Sequence, residues 1–146
     1  LHEEGISRNG AAAMDALRSA GVAVGIVTNA RSDYQRAKLE RAGLDVPEVL
    51  VGVDRFGVGK PDPRIFLAGA EGLGTDPART AYVGDELEVD ALGAIRAGLR
   101  GLWLDRPGTR RHEIPDSTVT AAMTSGVVPL PSLTHLAPTL LNPPAR

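Results

Sequence analysis

Three short stretches carry side chains from which chemistry could be built. Thr28-Asn29 follows an apolar run and precedes a helical pattern. A hydroxyl and backbone N–H groups placed there would meet an anion where the partial positive charge of a helix N-terminus gathers. The same pair would serve as a polar turn that caps the helix. Lys60 lies in Gly57-Val58-Gly59-Lys60-Pro61-Asp62-Pro63, where Gly and Pro restrict the loop and could aim the ammonium at a phosphate. A solvated loop lysine has the same spelling. The loop is no nucleotide-binding P-loop, because Pro61 stands where Ser or Thr is required and Asp54 where the first Gly should be. Gly84-Asp85-Glu86 with Asp90 gathers carboxylates after a third apolar run. They are hard oxygen donors suited to Mg²⁺, or acidic residues that cap a helix and complement its dipole. His2, His112 and His135 are scattered without ligand spacing.

These residues need elements to hold them. Ala13, Met14, Leu17 and Ala20 are at helical spacing within residues 9–20, with Gly21 to end the helix. Val22 to Val27 reads as a buried strand closed by Thr28-Asn29, and Ser32 with Gln35 as a capping box opening a helix that stops at Gly43. Glu48 to Val53 is a second strand. Asp62-Pro63 supplies an N-cap and a first-turn proline for a helix through Ile65, Phe66, Leu67 and Ala68. Ala81 to Val83 is a third strand, a helix through Ala91, Ala94 and Ile95 ends at Gly98, and Gly101 to Leu104 is a fourth strand. In the Pro- and Thr-rich tail, Val127-Val128 is a candidate strand and Ser132 to Leu140 a short helix. Alternation of strand and helix predicts an α/β fold, a three-layer Rossmann-like parallel sheet. Ligands in such folds sit beyond the carboxyl ends of the strands, where Thr28, Asp54, Asp85 and Asp105 fall.

Bulk properties narrow the partners. At 146 residues and 42% hydrophobic composition the chain can bury one core. A net charge of −2 without runs of like charge predicts no nucleic-acid or anionic-membrane partner. With no cysteine there is no disulfide framework and no thiolate chemistry. No apolar stretch approaches the roughly 20 residues of a membrane span, and a cytoplasmic location is expected. Oligomeric state leaves no trace in the pattern.

Taken in order, Thr28-Asn29, then Lys60-Pro61-Asp62-Pro63-x-x-Phe66, then Val83-Gly84-Asp85-Glu86-x-x-x-Asp90 resemble motifs II, III and IV of the haloacid dehalogenase (HAD) superfamily. The continuation Ala91-Leu92-Gly93-Ala94-Ile95-Arg96-Ala97-Gly98 and the strand ending Trp103-Leu104-Asp105-Arg106-Pro107-Gly108 resemble its phosphoglycolate-phosphatase-like branch. The resemblance implies a Rossmann-like core with an inserted cap and phosphoryl transfer through an aspartyl phosphate. On that footing the catalytic residues would be Thr28, Lys60 and Asp90. The substrate, a small phosphate ester, would be bound by Thr28, Asn29 and Lys60, and Mg²⁺ by Asp85, Glu86 and Asp90. Glu86 stands where many members carry Asp or Ser. The Gly-Asp-Glu sequence favours phosphatase over dehalogenase, since the metal-free dehalogenases typically have a Ser-Asn type of fourth motif.

Motif I, an apolar strand ending Asp-x-Asp-x-Thr/Val before Thr28, is missing. Val51-Gly52-Val53-Asp54-Arg55-Phe56 and Leu102-Trp103-Leu104-Asp105-Arg106-Pro107 imitate it, but Phe56 and Pro107 replace its second aspartate. The expectation is therefore a C-terminal core without the family's first strand and cap. Residues 1–8 would be the exit from the cap and 9–146 the hydrolase core, itself close to inactive. The alternative is a non-catalytic HAD-like module retained for binding.

Overall fold

A computed structural model describes residues 8–141. Helix α1 (Arg8–Ser19) leads to strand β1 (Ile26–Val27), helix α2 (Ser32–Arg41) to β2 (Leu50–Val51), and helix α3 (Pro63–Leu73) to β3 (Ala81–Gly84). A π-helical stretch (Leu87–Leu92) runs into α4 (Gly93–Ala97), followed by β4 (Arg100–Leu104), α5 (Asp116–Thr124), β5 (Val128–Leu130) and α6 (Leu136–Leu141). All strand pairs are parallel, β1 with β2 and β3–β4–β5 in that order. The expected cap exit, residues 1–8, falls outside the described residues except for Arg8. No helix among the described residues is long and apolar enough to cross a membrane.

Alternation along β4 divides its neighbours between two faces. Leu102 and Leu104 pack with Leu17, Leu130, Leu133 and Leu136, while Trp103 packs with Leu87, Ala91, Ala122 and Val127. Helices therefore cover both faces, giving the three layers that the alternating pattern predicts. On α3, Ile65, Phe66 and Ala68 are buried while Leu67 faces solvent at 38% exposure.

The strand read from Val22 to Val27 is laddered only at Ile26 and Val27, opposite Leu50 and Val51 of β2. Ile26 and Thr28 donate their N–H groups to Val49 and Val51, which leaves the backbone of Val27 facing away from β2. Arg100 donates to the carbonyl of Thr80, so the backbone groups of Ala81 and Val83 face away from β4. Between these two open edges lies an apolar cleft of about 470 Å³, bordered by Val24, Val27, Ala81, Val83, Leu133 and Leu136. One of the exposed carbonyls, that of Val27, is satisfied by a side chain: the Tyr82 hydroxyl donates to it at 3.1 Å.

Helix α2 does not use the expected capping box. Its N-cap residue is Arg31, which makes no capping bond, and Gln35 is buried. Asp54 caps it from 22 positions away, accepting from the Ser32 backbone N–H and the Ser32 hydroxyl, both at 2.7 Å. These bonds hold the Asp54 carboxyl below its usual pKa. A depressed carboxylate contributes stability that is present above the ordinary aspartate value near pH 4 and is lost as pH falls through the lower folded value. Asp54→Ala should therefore lower the urea midpoint at pH 7, and the gap to wild type should close in acid. A gap that stays constant from pH 7 to pH 2 would rule the cap out.

Candidate active site

The carboxyl ends of β1 and β3 and the loop before α3 converge on Lys60. Asp62 accepts from the Arg64 N–H at 3.0 Å with Pro63 in the first turn, so α3 starts where the sequence predicts and fixes the loop ahead of it. Behind it, Asn29 clamps the lysine backbone: Oδ1 accepts from the Lys60 N–H at 2.6 Å and Nδ2 donates to the Lys60 carbonyl at 3.3 Å. Gly59 makes room for this clamp, since a side chain there would run into the Asn29 amide. The Lys60–Pro61 bond is cis.

With its backbone held, Lys60 sends its ammonium inward. Nζ donates to Asp90 Oδ1 at 2.7 Å and to the Tyr82 hydroxyl at 2.7 Å. The side chains of Lys60 and Asp90 are only 11% and 3% exposed. Burial opposes the lysine charge, but the Tyr82 oxygen and the Asp90 carboxylate outweigh it and raise the pKa above the usual lysine value. Burial also pushes the Tyr82 hydroxyl up to about 12, against the pull of Lys60. Near neutral pH the site thus holds a charged ammonium beside a protonated phenol.

Asp90 reaches Lys60 because the chain after β3 winds as a π-helix over Leu87–Leu92, where the sequence predicts ordinary helix. Such wide turns are frequent at functional sites. Asp90 Oδ2 accepts from the Glu86 N–H at 3.0 Å, and the carboxylate packs directly on Gly84, where any side chain would collide with it. Both Asp90 oxygens are thereby engaged within the protein. The Asp85 and Glu86 side chains are half-buried at the end of β3. The Asp85 backbone carbonyl accepts from the Trp103 indole at 3.2 Å, which anchors that turn to β4. Thr28 Oγ1 accepts from the Ala30 N–H at 3.1 Å, leaving its hydroxyl proton to donate elsewhere.

The two imitators of the missing motif are committed to structural work. Asp54 caps α2, as described. Asp105 forms a two-point ion pair with Arg110, both contacts at 2.9 Å, while that guanidinium lies 4.9 Å from the Trp103 ring centre. The sequence reading overlooked Tyr82, which sits in an apolar run and reads as core. Its hydroxyl was the available signal, since a buried tyrosine O–H needs a partner.

The chain has clear relatives. Residues 1–98 match the family model described as haloacid dehalogenase-like hydrolase. A phosphoserine phosphatase from Thermus thermophilus is 42% identical over 90 residues, covering 61% of this chain and 36% of that protein. A glyceraldehyde 3-phosphate phosphatase from Methanopyrus kandleri is 37% identical over 108 residues, covering 68% and 46%. The crystal structure of a HAD phosphatase from Thermococcus onnurineus superposes with a TM-score of 0.73 at 32% identity, covering 92% of this chain and 57% of that one. The chain thus spans between a third and a half of the length of these two curated relatives. With motifs II to IV in order on a three-layer parallel α/β core, the chain belongs to the haloacid dehalogenase-like hydrolases.

Proposed function

We propose that these residues form the phosphate- and cation-handling part of a Mg²⁺-dependent phosphatase acting on a small phosphate ester, with the nucleophilic aspartate supplied by sequence outside them. The observation that carries this reading is the Lys60 ammonium, buried and pinned by Asp90 and Tyr82 at the strand ends that also present Thr28 and Asp85. The relatives named for phosphoserine and glyceraldehyde 3-phosphate support small phosphorylated metabolites as the substrate class. We place the enzyme in the cytoplasm, with neither nucleic acid nor membrane as partner.

In this mechanism the Thr28 hydroxyl donates to one phosphoryl oxygen. Lys60, with two of its three protons on Asp90 and Tyr82, turns the third toward another. A fixed cation in a water-poor pocket stabilises charge that grows in the transition state at little reorganisation cost. Asn29 sets the height of the Lys60 loop and Asp90 keeps its ammonium in place. An aspartate from outside these residues would attack phosphorus as the bond to the ester oxygen breaks and the alcohol leaves, and water would then hydrolyse the phosphoaspartyl group to inorganic phosphate and free carboxylate.

The acidic residues after β3 suit Mg²⁺ as part of a ligand set. Asp85 and Glu86 offer carboxylate oxygens that bond to no described side chain, whereas the Asp90 oxygens face Lys60 and Glu86. No group of three acidic or histidine residues gathers to hold a metal among the described residues, so further oxygens must come from elsewhere. Asp85 would be the principal ligand of this chain with Glu86 as a second oxygen donor, Asp90 would hold Lys60 beside them, and the metal would neutralise phosphoryl charge. Aryl phosphate hydrolysis by a form extended with the sequence encoded upstream of Leu1 tests the reading. Mg²⁺-dependent turnover that disappears in Asp85→Asn is expected. A silent extended protein would overturn it in favour of a non-catalytic module.

A further inference from the structure

We infer that Tyr82 is a positioning residue that sets the direction of the Lys60 ammonium and ties it to the strand carrying Thr28. A protonated lysine can only donate, so the Tyr82 oxygen must accept from Nζ. The single phenolic proton then goes to the Val27 carbonyl at 3.1 Å, one residue before Thr28. One hydroxyl thus joins the ends of β1 and β3 and the loop before α3.

The geometry separates this role from simple packing. Nζ lies 2.7 Å from the hydroxyl but 5.1 Å from the ring centre, so it sits at the oxygen end of the ring rather than over its face. Phe66 meets the ring edge-on, with centroids 5.0 Å apart and planes at 83°, which holds the ring without help from the hydroxyl. Two fixed hydrogen bonds on a tetrahedral ammonium determine where its third N–H points. With Asp90 alone, the head would turn about a single contact. Removing the Tyr82 oxygen therefore leaves the charge in place and releases its direction.

The contact can be tested without turnover, and only its use in catalysis rests on the phosphatase reading. The chain contains two lysines, Lys38 and Lys60, so Lys38→Arg suffices to assign the Lys60 ammonium signal in ¹⁵N–¹H spectra. Tyr82→Phe should speed proton exchange of that ammonium by about 10-fold, the loss of one hydrogen bond to a charged group. Tyr34→Phe, at a 56% exposed position, should leave it unchanged. Unchanged exchange in a folded Tyr82→Phe overturns the inference. Should that variant fail to fold, 3-fluorotyrosine in a Tyr34→Phe background weakens the same oxygen as acceptor, and the same criterion applies. In the upstream-extended protein, Tyr82→Phe should lower kcat about 10-fold with KM held within about 2-fold. A kcat equal to wild type would overturn the positioning role. An inactive extended wild type would strike the phosphatase reading instead, with the exchange result still deciding the contact.

Discussion

Replacing Lys60 by methionine should destabilise the protein by about 3–5 kcal/mol, because it strands a buried carboxylate. Asp90 is 3% exposed, and the ammonium is the cation that meets its Oδ1. Methionine fills similar volume, so packing loss contributes little and the unpaired charge dominates. A second change separates the two: Lys60→Met with Asp90→Asn removes the charge while keeping an acceptor for the Glu86 N–H, and should recover more than half of the loss. Urea unfolding of the four proteins checks this as a double-mutant cycle. If Lys60→Met costs under about 1 kcal/mol, in the range of a surface pair, the pair is solvated and the site differs from the one described here. The sign with pH follows from the raised lysine value: the contribution is present below the ordinary value of 10.5 and fades as pH rises through the higher folded one. The wild-type advantage should therefore hold across neutral pH and shrink in strong alkali, where the ammonium is lost.

The isolated residues 1–146 should hydrolyse an aryl phosphate some 10⁴ to 10⁶ times more slowly than the upstream-extended protein, the usual cost of losing a catalytic nucleophile. The two aspartates placed after apolar strands are both occupied, Asp54 by Ser32 and Asp105 by Arg110. To attack phosphorus, Asp54 would have to uncap α2 and Asp105 would have to leave a two-point guanidinium pair. Neither lies on a strand bordering the cleft between β1 and β3. Steady-state rates with Mg²⁺ for both proteins, alongside Asp85→Asn, decide the matter. Turnover by residues 1–146 that Asp85→Asn abolishes would place a working nucleophile within them and return Asp54 and Asp105 to candidacy.

What could be read in the sequence was what depends on near neighbours. Asp62-Pro63 starts α3 because an N-cap acceptor and a proline without an N–H suit the first turn wherever they occur. Gly98 ends α4 in the left-handed region that glycine reaches freely. The order of Thr28, Lys60 and Asp85 was visible because each follows its own apolar run. Contacts between distant segments were not. Nothing near Asp54 announces that it caps a helix 22 residues earlier, and nothing near Asn29 announces its hold on the backbone of Lys60, 31 residues on. The place of Asp90 in a motif marked it as a candidate, but its contact with the Lys60 ammonium, 30 residues earlier, left no mark on the residues around it. The π-helical turn that brings it there was hidden too, since its apolar spacing passes for ordinary helix.

The separation of the two sheets bears on how the protein opens. No backbone ladder crosses from β1 to β3 among the described residues, so the link between them there is made by side chains, with Tyr82 and the cluster around Phe66 foremost. Units joined only in this way can come apart below the free energy of global unfolding, as native-state amide exchange shows for foldons. The β1–β2 pair, with two laddered residues in each strand, is the weaker partner. Its amides should exchange first, before those of Leu102 to Leu104 in the middle strand of the larger sheet. Thr28 and Asn29 sit on that looser unit and Asp85 on the firmer one. If the amides exchange in that order, the two halves of the site open separately, and a segment pairing in the cleft with both edges would make them one.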